Sequence, residues 1–361
     1  MKRKVFSIIG LTAISAVMAY NNPKNEYIRV NPFVQNLVNS KEPELVCHLS
    51  EDKILLKNII DFTVLSDSTF VVTDGRGVYL YNTSGTFKKQ FGSSRQKRGE
   101  ILSPSRVYAN SDFVYIWCSS LMKFLVFDHE ANFINELSGF KRAVKKFVVN
   151  SSNEILYIFT SGFLNDSENK MIDVIDVYNI AEGSSKKFGE RSAEDEVLST
   201  WSNSGGLYVD ESRLIYLHPG NLIIHVLDIN SDKTIQYKID DKAFNTTKIT
   251  SHVRDVMGNR PKLTDYLHNN SIVKGLYKDN DKFIIVSEIG QHSFDQQSRV
   301  MDSRKRKIKL YFLDSSFNPN RTILFDYISS SNIMIHSGAM YFITLTLGDE
   351  DQIISLYRFS L

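Results

Sequence analysis

Along most of the chain the large apolar residues come in short runs, each introduced by a polar turn. One unit recurs six times: Phe70-Val71-Val72, Phe113-Val114-Tyr115-Ile116, Ile155-Leu156-Tyr157-Ile158, Leu214-Ile215-Tyr216, Phe283-Ile284-Ile285-Val286 and Met340-Tyr341-Phe342. A second unit follows each, an alternating strand that closes on a polar residue: Asn82, Asp128, Asn179, Asp228, Asp314 and Arg358. Runs this short, bounded by Asp, Asn, Ser and Gly, predict strands. Asp or Asn at the closing position starts a tight turn by accepting a backbone N–H. The closing residues stand 46, 51, 49, 86 and 44 apart. A period of about 45–50 residues is one four-stranded propeller blade.

These repeats predict an all-β fold, a six-bladed β-propeller over 44–361. The 86-residue gap holds no period-2 pattern over 241–270, and Ile249 to Leu267 reads as a partly helical insertion between blades 4 and 5. The chain ends after Tyr357-Arg358-Phe359, so the sixth blade is one strand short. Glu44 to Leu49 stands spare ahead of the first blade and supplies the strand that closes the ring and covers an open edge.

The first twenty residues depart from this pattern. Lys2, Arg3 and Lys4 precede an apolar stretch from Val5 to Ala19, with Val17 and Ala19 placed for cleavage after Ala19. Residues 1–19 read as a signal peptide and 20–43 as an N-terminal extension. Export to the periplasm or cell envelope is expected. Tyr20 stands where a lipoprotein would carry its lipid-bearing Cys. No run of 18 apolar residues occurs, so no transmembrane segment is expected in the mature chain. Cys47 and Cys118 fall on different blades and are expected as two free, packed thiols.

Composition narrows the function classes. The chain is 42% hydrophobic and 23% charged, as a folded globular protein is. Its 43 basic and 41 acidic residues give +2, and removing Lys2, Arg3 and Lys4 leaves 40 against 41, a net of −1. That balance argues against a nucleic-acid partner. Neither a phosphate-binding glycine loop nor a G-x-S-x-G elbow is present.

In a propeller, turns between strands 1–2 and 3–4 share one face, and turns 2–3 and the links between blades share the other. The first set is short. The second contains 92–104, 160–171, 189–205, 240–271 and 287–306, and long loops on a rigid scaffold commonly carry function. This long-loop face yields the candidate ligand residues Asp74, Arg76, Arg98, Glu100, Trp201, His218, Glu288 and His292. Trp201 could stack on a sugar or peptide. The expected role is a monomeric binding module for a protein, small-molecule or glycan ligand, with no catalytic residue and no cofactor. The alternative is a calcium-dependent, lactonase-like hydrolase or lyase, since Asp61, Asp74, His218 and Glu288 could approach the channel mouth and calcium takes carboxylate ligands.

The segment Tyr81-Asn82-Thr83-Ser84-Gly85-Thr86-Phe87, followed by Gly92, Gly99, Glu100 and Pro104, resembles the six-bladed, TolB-like (NHL-like) propeller proteins exported by the Bacteroides group. Those proteins commonly carry D-x-x-G-x-F and then a G-x-x-G-x-G-P-x-E-F linker, whose central Gly-Pro this chain lacks. Through the blade pattern the resemblance extends over about 44–361. It implies fold and compartment, and no activity.

Overall fold

The computed structural model describes residues 27–30, 35–38, 43–49, 56, 59–66, 68–92, 99–199, 204–210, 212–290, 306–328, 332–347 and 352–361. Residues 1–19, read from the sequence as a signal peptide, lie outside them. Three strands precede the first full sheet: β1 (Tyr27–Val30), β2 (Gln35–Val38) and β3 (Glu44–His48). Blade 1 is β4 (Asp61–Ser66), β5 (Thr69–Thr73), β6 (Val78–Asn82) and β7 (Phe87–Gln90). Blade 2 is β8 (Pro104–Ala109), β9 (Val114–Cys118), β10 (Lys123–Phe127) and β11 (Phe133–Leu137). Blade 3 holds β12 (Val144–Val149), β13 (Ile155–Thr160), β14 (Phe163–Asn165), β15 (Lys170–Asn179) and β16 (Ser184–Ser192), and helix α1 (Ala193–Leu198) follows.

Blade 4 is β17 (Gly206–Val209), β18 (Arg213–Leu217), β19 (Ile223–Asp228) and β20 (Thr234–Ile239). Helices α2 (Val253–Met257) and α3 (Arg260–Asn269) come next. Blade 5 is β21 (Ile272–Asp279), β22 (Lys282–Ile289), β23 (Arg306–Leu313) and β24 (Pro319–Ile328). Blade 6 is β25 (Ile333–His336), β26 (Ala339–Leu347) and β27 (Gln352–Ser360), with β3 antiparallel to β27 as its fourth strand. The fold is a six-bladed β-propeller.

The closing polar residues do what their side chains allow. Asn82 accepts the backbone N–H of Thr86, Asp128 that of Asn132, and Asn179 those of Ala181 and Glu182. Asp228 accepts those of Asn230 and Ser231, and Asp314 those of Ser316 and Asn318. Gly85 ends the first of these turns at φ +82°, and a Cβ there would stand 1.9 Å from the carbonyl oxygen of His48 on β3. Only glycine lets the turn and the neighbouring strand approach so closely.

The core consists of layers between blades, which explains why the second strands read as runs and not as alternation. Phe70 and Val72 face blade 6, while Val71 between them faces blade 2. Tyr115 and Trp117 face blade 3, while Val114, Ile116 and Cys118 face blade 1. Phe283 and Ile285 face blade 4, while Ile284 and Val286 face blade 6. A strand buried on both faces must be apolar at every position. Cys47 and Cys118 lie in different layers, both buried and both free thiols.

Two arrangements go beyond the repeat pattern. Within the stretch 20–43, β1 and β2 pair in parallel with β20 and β24, as fifth strands on the outer edges of blades 4 and 5. The link 189–205 is not an irregular loop throughout: β16 extends through Ser192, which caps α1 by accepting the N–H of Asp195. Ala193, Val197, Val253, Val256 and Leu263 form a small apolar cluster among the three helices.

Candidate functional site in the axial channel

The first strand of each blade lines the channel, and together the six enclose a cavity of about 240 Å³. Its charged residues are Asp61 on β4, Arg106 on β8, Lys146 on β12, and Lys274 and Lys278 on β21. Asp61, Arg106, Lys146 and Lys274 sit near the starts of their strands, at the end of the channel that carries the links between blades. Tyr108, Tyr208, Tyr277 and Lys278 lie further along, toward the short turns.

The backbone is irregular where the cations emerge. Pairing of β8 with β9 slips by one residue between Pro104 and Arg106, and β12 with β13 between Val144 and Lys146. The same slip in β21 against β22 falls between Val273 and Gly275, at Lys274. Such bulges re-aim side chains that a regular strand would direct elsewhere. Three of the six first strands carry one beside a basic residue.

Hydrogen bonds run around this ring from blade to blade. Asp61 Oδ2 accepts the N–H of Val107 at 3.1 Å, and its Oδ1 accepts the N–H of Phe62. Arg106 Nε donates to the carbonyl of Lys145 at 2.7 Å. Lys146 Nζ donates to the carbonyls of Gly205 and Lys274, each at 2.9 Å. Gly205 lies at φ +84°, the left-handed region that glycine adopts without strain. Tyr277 donates to the carbonyl of Ile333 at 2.5 Å, and Asn332 to that of Ile59 at 3.2 Å, which returns the circuit to blade 1.

Burial shifts these groups away from their charged forms. Loss of solvent pushes Asp61 up against the opposing pull of Arg106, and lowers Arg106 against the pull of Asp61. Lys146 falls to about 7, through burial first and the neighbouring cations Lys274 and Arg106 second, while Asp61 resists. Tyr108 is pushed up to about 12 by burial, and Tyr208 and Tyr277 move in the same direction for the same reason.

The residues singled out from sequence are dispersed. Asp74 caps its own turn, with Oδ1 accepting the N–H groups of Arg76 and Gly77 and Oδ2 paired to the Arg76 guanidinium. Glu100 is half-buried in the link between blades 1 and 2. His218 is buried at the end of blade 4, stacked on Phe159 at 5.9 Å and set edge-on to His225. Burial and then the Arg191 charge hold it down at about 3, so the ring is neutral and faces protein, not the channel. Glu288 is buried and pairs with Lys274 at 3.5 Å, one residue behind the cavity, while Asp61, also singled out from sequence, lines the cavity itself. Arg98, Trp201 and His292 lie outside the described residues.

Sequence reasoning passed over Arg106, Lys146 and Lys274. The available signal was a base inside a first strand that packing would otherwise make apolar, repeated in blades 2, 3 and 5. A divalent cation does not fit this donor set. Asp61 faces Arg106 and Lys146, Asp74 is paired to Arg76, and among the described residues no three His, Cys, Asp or Glu side chains converge.

No protein-family profile and no curated protein matches the chain. Among the described residues no helix is long and apolar enough to cross a membrane. The fold is similar to that of a DUF4221-family protein from Bacteroides vulgatus, with TM-score 0.63 and 9% identity over 88% of this chain and 96% of that one. It is also similar to a Bacteroides fragilis protein described as exported, with TM-score 0.59 and 12% identity over 93% of this chain and all of the other. At these identities the likeness establishes the propeller fold and nothing further about activity.

Proposed function

We propose that the chain is an exported binding module that holds a small ligand in its axial cavity, at the end of the channel facing the links between blades. The observation that carries this reading is the cavity itself: all six blades contribute to it, and Asp61, Arg106, Lys146 and Lys274 gather at one end. A concave site with a few convergent polar groups in an apolar wall is the usual form of a small-molecule pocket. The basic and apolar pattern of residues 1–19, and a structural neighbour described as exported, support export.

A thermal-shift screen of small metabolites against the wild type and Val148→Phe tests the site. Val148 lines the cavity, and the larger ring fills part of it. Compounds that stabilise the wild type and not the filled variant support the reading. Compounds that stabilise both equally bind elsewhere and refute it. Cell fractionation of the full chain tests export, with recovery in the cytoplasm as the contrary result.

A further inference from the structure

We propose that the axial cavity selects a carboxylate carried on a ring, an acidic sugar or an aromatic acid, with Arg106, Lys146 and Lys274 at the acid group. The inference rests on the binding-module reading above and adds the chemistry of the ligand.

Charge is the first argument. Arg106, Lys146, Lys274 and Lys278 line the cavity against the single carboxylate of Asp61, and Glu288 engages Lys274 from the neighbouring strand. Lys274 is only 4% exposed. Glu288 meets this buried ammonium, as a cation withdrawn from water requires. Four bases against the two carboxylates of Asp61 and Glu288 leave an excess of positive charge that an incoming anion offsets, and Lys146 takes up a proton as it binds because the anion favours its ammonium form.

Backbone geometry is the second. Three independent bulges beside three bases, in strands 40 or more residues apart, turn the side chains of separate blades to one place. Bulges interrupt pairing, and their recurrence near sites reflects the re-aiming they provide.

The remaining wall sets the rest of the ligand. Tyr108, Tyr208 and Tyr277, with Leu207, Leu276 and Ile335, continue the cavity away from Arg106, Lys146 and Lys274. Aromatic faces of this kind pack against a sugar or aromatic ring. A volume of about 240 Å³ admits one ring-sized molecule and no folded segment. The donors here are side chains from strands, not the successive backbone N–H groups that make a phosphate cradle.

Isothermal titration of the full mature chain at pH 6.5 tests this with matched probes. Glucuronate is compared with glucose, 4-hydroxybenzoate with 4-hydroxybenzyl alcohol, and inorganic phosphate is run alone. One acid is expected to bind about tenfold or more tighter than its neutral twin. Which pair responds distinguishes a sugar acid from an aromatic acid. Arg106→Gln should lower the acid's affinity about tenfold and leave any binding of the neutral twin unchanged. Because Arg106 also joins blades 2 and 3, Arg106→Lys and the peripheral Lys278→Gln serve as folded comparators. Arg106→Lys should retain part of the affinity, and Lys278→Gln should weaken it. Equal binding of acid and neutral twin, or phosphate binding as tight as either acid, overturns the proposal. If no acid binds while uncharged compounds from the screen occupy the cavity, the proposal falls and the binding-module reading stands. If nothing occupies the cavity, both fall.

Discussion

Replacing Lys146 by Met should change not only how stable the protein is but how its stability responds to pH. The ammonium is buried at the channel axis, where solvent loss and two nearby cations bring it from the ordinary value of 10.5 to about 7. In the unfolded chain it returns to the ordinary value. Between these limits the unfolded state holds a proton that the folded state has released, so stability rises with pH across this window. Below about 7 both states are protonated and the full cost of the buried charge is present. Weighting both states gives an increase of about 2 kcal/mol in unfolding free energy from pH 7 to pH 9 that is due to this group alone. Met keeps the length and apolar stem, cannot titrate, and forfeits the two bonds to Gly205 and Lys274. Urea denaturation of both proteins at pH 7, 8 and 9, followed by circular dichroism, isolates Lys146 and the groups it touches, because titrations elsewhere in the molecule cancel in the difference. The wild type should gain on the variant by about 2 kcal/mol over that range. A difference that stays constant with pH would show that Lys146 remains an ordinary charged lysine, and the account of the axial charges would fail.

Other parts of the structure make separate claims. Gly85→Ala places a Cβ 1.9 Å from the His48 carbonyl at a positive φ, and should cost about 3 kcal/mol in urea denaturation; a loss under 0.5 kcal/mol would mean β3 is not packed there. Arg191 and Glu196 form a buried ion pair at 3.0 Å, so Glu196→Leu alone should cost about 3–5 kcal/mol, while Arg191→Leu with Glu196→Leu recovers most of it; equal losses would refute the pairing. Millimolar calcium should leave the melting temperature unchanged, because the channel carboxylate already faces bases; a rise above about 2 °C would reinstate a cation site. Deleting residues 20–39 uncovers the outer edges of β20 and β24, and hydrogen exchange should quicken in Thr234–Ile239 and Pro319–Ile328. Unchanged protection there would show that β1 and β2 do not cover those edges.

What the sequence determined by itself was the repeat and its turns. Asn82, Asp128, Asn179, Asp228 and Asp314 act on backbone N–H groups two to four residues away, so their role is local and visible in the order of residues. The apolar runs announced strands buried on both faces, and their spacing announced six blades. The candidate site was less legible. Asp74 and His218 stand at strand ends, where position alone does not say what they touch: Asp74 caps its own turn on the N–H groups of Arg76 and Gly77, a local contact, while His218 stacks on Phe159 of the neighbouring blade. Arg106, Lys146 and Lys274 looked like polar interruptions of separate strands. Their convergence depends on a one-residue slip in each strand's pairing, and a slip belongs to the partner strand as much as to the strand itself. The parallel attachment of β1 and β2 is likewise set by edges formed some 200 and 290 residues later in the chain. Closing the ring brought the six first strands to one axis, and only that closure turned scattered charges into a single buried cluster around a cavity.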